Sequence, residues 1–320
     1  MLVIQCWLEK GFRAQEVGDM GYAARVLRDS VSPDNVRLTT MEVTFPRCVL
    51  AEFNTHRTFS RNSASSRAIP IEKMLKRVLD DPFIPVYWGK NQKGMKAEQE
   101  LSEDERWTAD AKWLFARDSA VDHAKVLLDL GIHKQLTNRL LEPFLYHTVI
   151  CTATDWSNFF ALRCHPDAQP EIRKIAVMMK ELYDMSEPSP VNYGDWHLPL
   201  VEHDEALDLE VKGFDVKKVS VGRCARVSYL THDGVRDPRA DVELCDRLQR
   251  SGHMSPAEHA ARPMTRDDAE AILRKRGVAV LGTFNLDYNE VYSGNFKGWV
   301  SLRKTIKNEH DFSLMNKENV

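Results

Sequence analysis

Long apolar runs are missing from this chain: no stretch approaches the ~18 residues of a bilayer-crossing segment, so no membrane partner is expected. A large charge excess is missing too. Lysine and arginine number 44 against 47 aspartate and glutamate, a formal net charge of −3. That excludes the broad basic surface of a general nucleic-acid polymer or membrane-surface binder, so any anion site must be local. Paired cysteines are also absent. The 6 cysteines (Cys6, Cys48, Cys151, Cys164, Cys224, Cys245) form no C-x-x-C motif, and only Cys164 has a close histidine, His165. Side chains adjacent in sequence seldom face one another, so Cys164 and His165 are not expected to act as a nucleophilic or redox pair. With no leader-like stretch at Met1, reduced thiols in a cytoplasmic compartment are expected. What is present, 43% apolar and 28% charged residues over 320 positions, is the composition of a soluble globular protein of one large domain or two ordinary ones.

One further absence is local. Between Glu52 and Glu72 there is no carboxylate, while His56, Arg57, Arg61 and Arg67 are interleaved with Ser60, Asn62, Ser63, Ser65 and Ser66. Guanidinium forks give bidentate, charge-assisted bonds to phosphate, and hydroxyl and amide groups fill the remaining oxygens. A polar, serine-rich surface loop has the same composition. Both readings stand on residues 52–70 alone.

Residues 14–28 read as a helix loosened by two glycines, and S-P-D-N at 32–35 as a turn. From Leu38 to Phe45, Met41, Val43 and Phe45 alternate with Thr40, Glu42 and Thr44, the period of a half-buried strand. The basic cluster follows a short helix and ends at Pro70, which disfavours helical geometry in the residue before it. Within residues 81–110, D-P-F-I-P-V-Y-W-G-K-N-Q-K-G-M is a Pro- and Gly-punctuated loop whose aromatics anchor it or cover a ligand, and the acidic L-S-E-D-E-R follows it. Helical spacing runs from Thr108 to Leu141 with a break at Gly131, and puts Arg139 shortly before Pro143. Asp155 is expected to cap the next helix, D-W-S-N-F-F-A-L-R, and residues 168–183 form an amphipathic helix. Residues 192–199 read as an ordered loop, Val216 to Leu230 as a strand, and Asp241 to Arg250 as a helix stopped by Gly252. Ser255-Pro256 starts another. His253, Glu258 and His259 are spaced H-x-x-x-x-E-H rather than H-E-x-x-H, so capping and hydrogen bonding are expected of them rather than metal ligation.

Four segments together carry a family resemblance. H-R-T-F-S-R-N-S-A-S-S-R at 56–67, N-F-F-A-L-R at 158–163, A-R-V-S-Y at 225–229 and G-H-M-S-P-A-E-H at 252–259 resemble the blocks of the flavin-dependent thymidylate synthases. In that family the last two precede the arginine-rich signature, so this chain resembles a circularly permuted member. Such a rearrangement is tolerable when the joined termini lie close together at the surface. The resemblance implies an α+β fold, a mixed or antiparallel sheet flanked by long helices. It also implies one permuted catalytic domain, with the nucleotide signature in 1–200, a flavin-contacting part in 201–304 that folds back onto it, and a polar tail at 305–320. The implied reaction moves a one-carbon unit from methylenetetrahydrofolate to carbon 5 of a pyrimidine deoxynucleotide, with FAD reduced by NADPH, in a homotetramer. Hydroxymethylation of the nucleotide, and nucleotide binding without catalysis, are the alternatives.

Carried over by position, Glu52, Ser63, Ser65, Ser66, Arg67, Arg139 and Arg163 would contact the nucleotide. His56, Arg57, Thr58, Asn158, Ser228, His253, Ser255 and Glu258 would line the flavin, and no protein nucleophile is implied. The chain departs from the pattern at Thr55, where the family has an arginine, and at Ser63, where it has a glutamate. Glu52 stands where the family has a glutamine, and Thr152 and Thr154 where it has flavin-touching Asn and Arg. A carboxylate facing the base suits cytosine's amine better than uracil's carbonyl, which raises dCMP beside dUMP as substrate.

Overall fold

The computed structural model of the chain describes residues 16–19, 21–63, 65–229, 236–277, 290–311 and 313. Strands β1 (Glu16–Asp19), β2 (Tyr22–Val31), β3 (Arg37–Pro46), β4 (Ser60–Ser63), β5 (Tyr146–Ala153) and β6 (Ser189–Pro190) form one sheet. Its order is β1-β2-β3-β5-β4, with β6 against β2. Only β2 with β6 runs parallel, so the sheet is mixed and mostly antiparallel, within the expected α+β class. Four short strands follow: β7 (Ala261–Pro263) pairs with β10 (Trp299–Ser301), and β8 (Tyr292–Ser293) with β9 (Phe296–Lys297). The helices are α1 (Leu50–Phe53), α2 (Ile71–Asp80), α3 (Glu103–Asp129), α4 (Lys134–Thr137), α5 (Ser157–Arg163) and α6 (Pro170–Met185). After them come α7 (His203–Val211), α8 (Val216–Tyr229), α9 (Pro238–Arg250), α10 (Arg266–Lys275) and α11 (Leu302–Thr305). No helix among the described residues is long and apolar enough to cross a membrane.

The alternation in β3 does what the sequence predicts on one face. Met41, Val43 and Phe45 are buried against Ile172, Ile175 and Met179 of α6, whose apolar residues recur at helical spacing. Burying each such side chain contributes ~1.5–3 kcal/mol. The opposite face is not open to solvent as a half-buried strand requires. Thr40 is fully buried there, and Cys224 and Val227 of α8 pack on Ile150 of β5. The C-terminal half thus covers the sheet's second face.

Three expectations are corrected. The helix expected at 14–28 is the β1–β2 hairpin; residues 14, 15 and 20 lie outside the described residues. Pairing of β2 with β3 along nearly its whole length overrides the helical lean of A-A-R-V-L-R. Gly21, at φ +78°, makes the reversal, and a Cβ there would come within 2.2 Å of the Tyr146 ring. The strand expected at 216–230 is helix α8, through residue 229. It is wrapped on several sides, so polar and apolar positions are buried together and the apparent alternation carries no facing information. Gly222 lets α9 approach α8 closely: a Cβ would sit 2.2 Å from the Asp241 carbonyl oxygen. Asp155 does not cap α5. Its carboxylate accepts instead from Thr154 and from the Tyr292 hydroxyl.

The aromatic loop is an anchored one. Phe83 is buried, its carbonyl accepts from the Trp113 indole at 2.7 Å, and the Trp88 indole donates to Asp110. Of the polar tail, residues 314–320 lie outside the described residues, while Glu309 accepts from Arg303 and Lys304.

Candidate functional site

The serine-rich stretch is not a loop at its centre. It is β4, the terminal strand of the sheet, held in register with β5 by Ser60 opposite Thr152, Asn62 opposite Ile150 and Ser63 opposite Val149. Asn62 Nδ2 donates to the Cys224 carbonyl of α8 at 2.8 Å, and Asn295 Nδ2 donates to Ser60 Oγ at 3.2 Å. Ser60 and Asn62 share one face of the strand, and that face is therefore tied to the C-terminal half.

Just before β4, Phe53, Phe59, Trp156 and Phe159 form a tight aromatic cluster, with Phe59 and Trp156 centroids 4.6 Å apart. The His56 ring packs on its edge, 4.9 Å from Phe159. Arg163 Nε donates to His56 Nε2 at 2.9 Å. Because guanidinium only donates, Nε2 carries the lone pair and Nδ1 the hydrogen. Desolvation, then the Arg163 and Arg61 charges, push the His56 pKa down to about 4. Arg163 Nη2 also reaches Thr55 Oγ1 at 3.2 Å and the Glu52 carbonyl at 3.4 Å. The hydroxyl that replaces the family's arginine thus serves as an acceptor for another one. Arg61 turns back to the Phe53 and His56 carbonyls. Glu52 Oε2 is buried with no hydrogen-bond partner among the described residues.

A second cluster lies around the 3₁₀ turn Ser66–Ala68, which Asn138 holds by bonds to the Ser66 and Ile69 carbonyls. Ser66 Oγ donates to Glu142 Oε1 at 2.5 Å, Arg47 pairs with the same oxygen at 3.0 Å, and Arg139 Nη1 reaches both carboxylate oxygens at 2.9 and 3.2 Å. Desolvation works to raise the Glu142 pKa, but the Ser66 and Arg47 interactions outweigh it and hold it below the usual carboxylate range. Ser66 and Arg139, expected on the nucleotide, are thus already bonded to an internal anion. Arg67 is exposed and has no ion pair or side-chain hydrogen bond among the described residues; Ser63 is exposed and Ser65 half-buried. The sequence reading missed Glu142 and Arg47. A signal was available in L-L-E-P, an isolated acid three residues after Arg139.

Of the residues expected to line the flavin, Arg57, Thr58, Asn158 and His253 are exposed and Ser255 is half-buried, all with side-chain polar atoms unpartnered among the described residues. Glu258 accepts from Arg303 at 2.6 Å, and the Ser228 side chain lies outside the described residues. Open donors of this kind fit a polar, phosphate-bearing cofactor. Thr152 and Thr154 do not add to them. Thr154 Oγ1 donates to Asp155 and accepts from the Lys297 amide. Thr152 is fully buried in a hydrogen-bonded row, also missed in the sequence. The row runs Ser30, His197, Thr40, Thr152, His259, with each step 2.7–2.8 Å.

Comparison with known proteins adds three findings. The family model described as thymidylate synthase complementing protein matches residues 24–189, just over half of the chain. No curated protein matches. Among solved structures, the chain is similar to a UMP/dUMP methylase, PolB, from Streptomyces cacaoi bound with 5-Br UMP, at 17% identity and TM-score 0.44, covering 52% of this chain and 89% of that one. The same methylase bound with 5-Br dUMP matches at 21% identity and TM-score 0.39, covering 46% and 66%.

Proposed function

This chain belongs to the thymidylate synthase complementing protein family, and from that premise we propose that it transfers a one-carbon unit from methylenetetrahydrofolate to carbon 5 of a pyrimidine deoxynucleotide. One observation carries the siting of this chemistry. The guanidiniums of Arg47, Arg61, Arg139 and Arg163 are each bonded within the protein, whereas Arg57 and Arg67, at the two ends of the signature, are exposed and unpaired among the described residues. We assign Arg67 to the nucleotide phosphate, with Ser65 and Ser63 beside it, and Arg57 to the cofactor with Thr58, Asn158, His253 and Ser255. FAD, when bound and reduced by NADPH, would supply the hydride.

The protein's own contribution is positioning and charge. Arg163 holds His56 neutral and fixes its tautomer, so that Nδ1 is the hydrogen-bearing nitrogen. Glu52 supplies an acceptor without a donor, which at the base's C4 edge suits cytosine's exocyclic amine rather than uracil's carbonyl and makes dCMP a substrate to weigh against dUMP. Asn62 of the signature donates to the Cys224 carbonyl of α8, and Cys224 and Val227 pack on Ile150 of β5, which supports reading the chain as one permuted catalytic unit. An oligomer is part of the proposal: Trp107, Phe115 and Val126 of α3, with Leu130, Leu136 and Leu140 beyond it, are large exposed apolar side chains.

The engagement of Thr152 and Thr154 inside the fold favours one second reading, a nucleotide-binding relative without flavin chemistry. Purified protein should be yellow and, given NADPH and labelled methylenetetrahydrofolate, should convert dUMP or dCMP to a product one carbon heavier by mass spectrometry. Colourless protein that binds nucleotide but takes up no flavin would establish the second reading. Product mass separates methyl from hydroxymethyl transfer.

A further inference from the structure

Beside the Glu142 cluster, and bordered by Ser66 of the signature, a cavity of about 20 Å³ lies between α2 and β5. Arg47, Arg77 and His147 line it together with the apolar side chains of Ile69, Met74 and Leu145. Arg47 Nη1 donates to His147 Nδ1 at 2.9 Å. That bond fixes the imidazole: Nδ1 is the acceptor, so the neutral ring carries its hydrogen on Nε2. His147 is 5% exposed, and Nε2 is buried without a partner among the described residues. It is therefore an unspent N–H donor, and leaving such a group unmet costs ~1–3 kcal/mol. Arg47 is neutralised by Glu142, but Arg77 has no ion pair or side-chain hydrogen bond among the described residues.

We propose that this cavity is a binding site for a monatomic anion, chloride in solution, held by the His147 Nε2–H group and the Arg77 guanidinium. Size decides the class. A cavity needs ~10–15 Å³ to admit one water, so this one takes a water-sized ion and is too small for phosphate or sulfate. Charge favours an ion over water: the Arg77 guanidinium lines the cavity with no carboxylate partner among the described residues, so an anion there meets a cation as well as the Nε2–H donor, whereas a water gains only the hydrogen bond. Ile69, Met74 and Leu145 supply the apolar part of the wall, which suits a weakly hydrated halide, and Ser66, Tyr146 and Thr148 complete it. An entry path exists, since Arg77 also lines an open groove of about 440 Å³ with Lys73, Asp81 and the Lys76–Asp80 ion pair.

The site is independent of the proposed reaction, and its test needs no turnover. The full chain, exchanged into gluconate buffer at fixed ionic strength, would be titrated with chloride, bromide, sulfate and phosphate while thermal melting is followed. Crystals soaked in bromide would be examined for anomalous scattering beside His147. Chloride and bromide should raise Tm saturably, sulfate and phosphate should not, and a bromide peak should lie within hydrogen-bonding reach of Nε2. R77Q, at an exposed position that should fold, is expected to weaken the halide response at least tenfold. H147N keeps an acceptor for Arg47 near the Nδ1 position but places no donor where Nε2–H lies, and should do the same. Equal responses to all four salts would mean that the cavity holds only water. Tighter phosphate than halide binding, or an unchanged halide response in R77Q, would equally overturn the assignment.

Discussion

Lowering the pH from 7 to 5 should destabilise this fold steeply, because two enclosed imidazoles cannot take up protons that the unfolded chain accepts. Desolvation, with the Arg47 charge second, pushes the His147 pKa down to about 3, and desolvation alone does the same for His259. An unfolded histidine titrates near ~6.5. Between these values the unfolded state binds more protons, so stability is complete above ~6.5 and falls as pH drops toward 3. Each group costs up to ~1.4 kcal/mol per pH unit, or about 2 kcal/mol at pH 5, and the pair about 4 kcal/mol. Against a total stability of ~5–15 kcal/mol, that is a large fraction. His56 and His197, also lowered, act in the same direction. Carboxylates held low, such as Asp268 at about 2, lose their contribution only as pH falls through the acid range below ~4, so they leave this window clear. Urea unfolding followed by circular dichroism at pH 7, 6 and 5, in chloride-free buffer, measures the slope. For wild type it should reach at least ~2.7 kcal/mol per pH unit near pH 5, and H259N or H147N should each remove about 1.4 of it. A wild-type slope below ~1.4, or one that neither substitution changes, would refute the account of these histidines as buried and neutral.

Other perturbations probe the site and the packing. R67A should weaken nucleotide binding by about 2 kcal/mol, roughly thirtyfold by calorimetry, as expected for a lost charge-assisted phosphate contact; unchanged affinity would move the phosphate elsewhere. E142Q should strengthen nucleotide binding severalfold, because Arg47, Arg139 and Ser66 would no longer be held by a carboxylate; weaker binding would make Glu142 a scaffold rather than a competitor. G222A should cost ~1–3 kcal/mol in chemical denaturation, since a Cβ 2.2 Å from the Asp241 carbonyl forces α8 and α9 apart. F115D should reduce the mass seen by light scattering if the exposed apolar row on α3 joins copies of the chain.

How much was legible in the sequence depends on which interactions decide each element. In β3 a strict alternation marks the face buried on α6, so the pattern alone suffices for the strand, though not for the cover over its second face. In β2 the local residues A-A-R-V-L-R lean helical, and the decision is made by β3, a partner that no local window contains. In α8 the run V-K-K-V-S-V alternates by composition, yet the helix is enclosed by the sheet and α9, so both phases are buried. The loop at 81–95 and helices α6 and α9 were legible because glycine, proline and amphipathic spacing act locally, whereas the helix expected from Thr108 already begins at Glu103, capped by Ser102.

The same distinction governs the site. Between Glu52 and Glu72 the sequence has no carboxylate, and that absence suggests an unopposed basic surface. The fold brings one back from 3₁₀ segment Asn138–Phe144: Glu142 meets Ser66, Arg47 and Arg139 together. Arg163 is likewise spent, on His56 and Thr55. Residue types predicted the chemistry available, but only the tertiary arrangement divides cations that are consumed from cations that are free. Of six arginines around the signature, Arg57 and Arg67 remain, one at each end of the His56–Arg67 segment. A ligand carrying negative charge at two separated points would engage both, whereas a single free phosphate would engage one. The affinity difference between a nucleotide with its phosphate-bearing cofactor and inorganic phosphate alone should therefore depend on both arginines together.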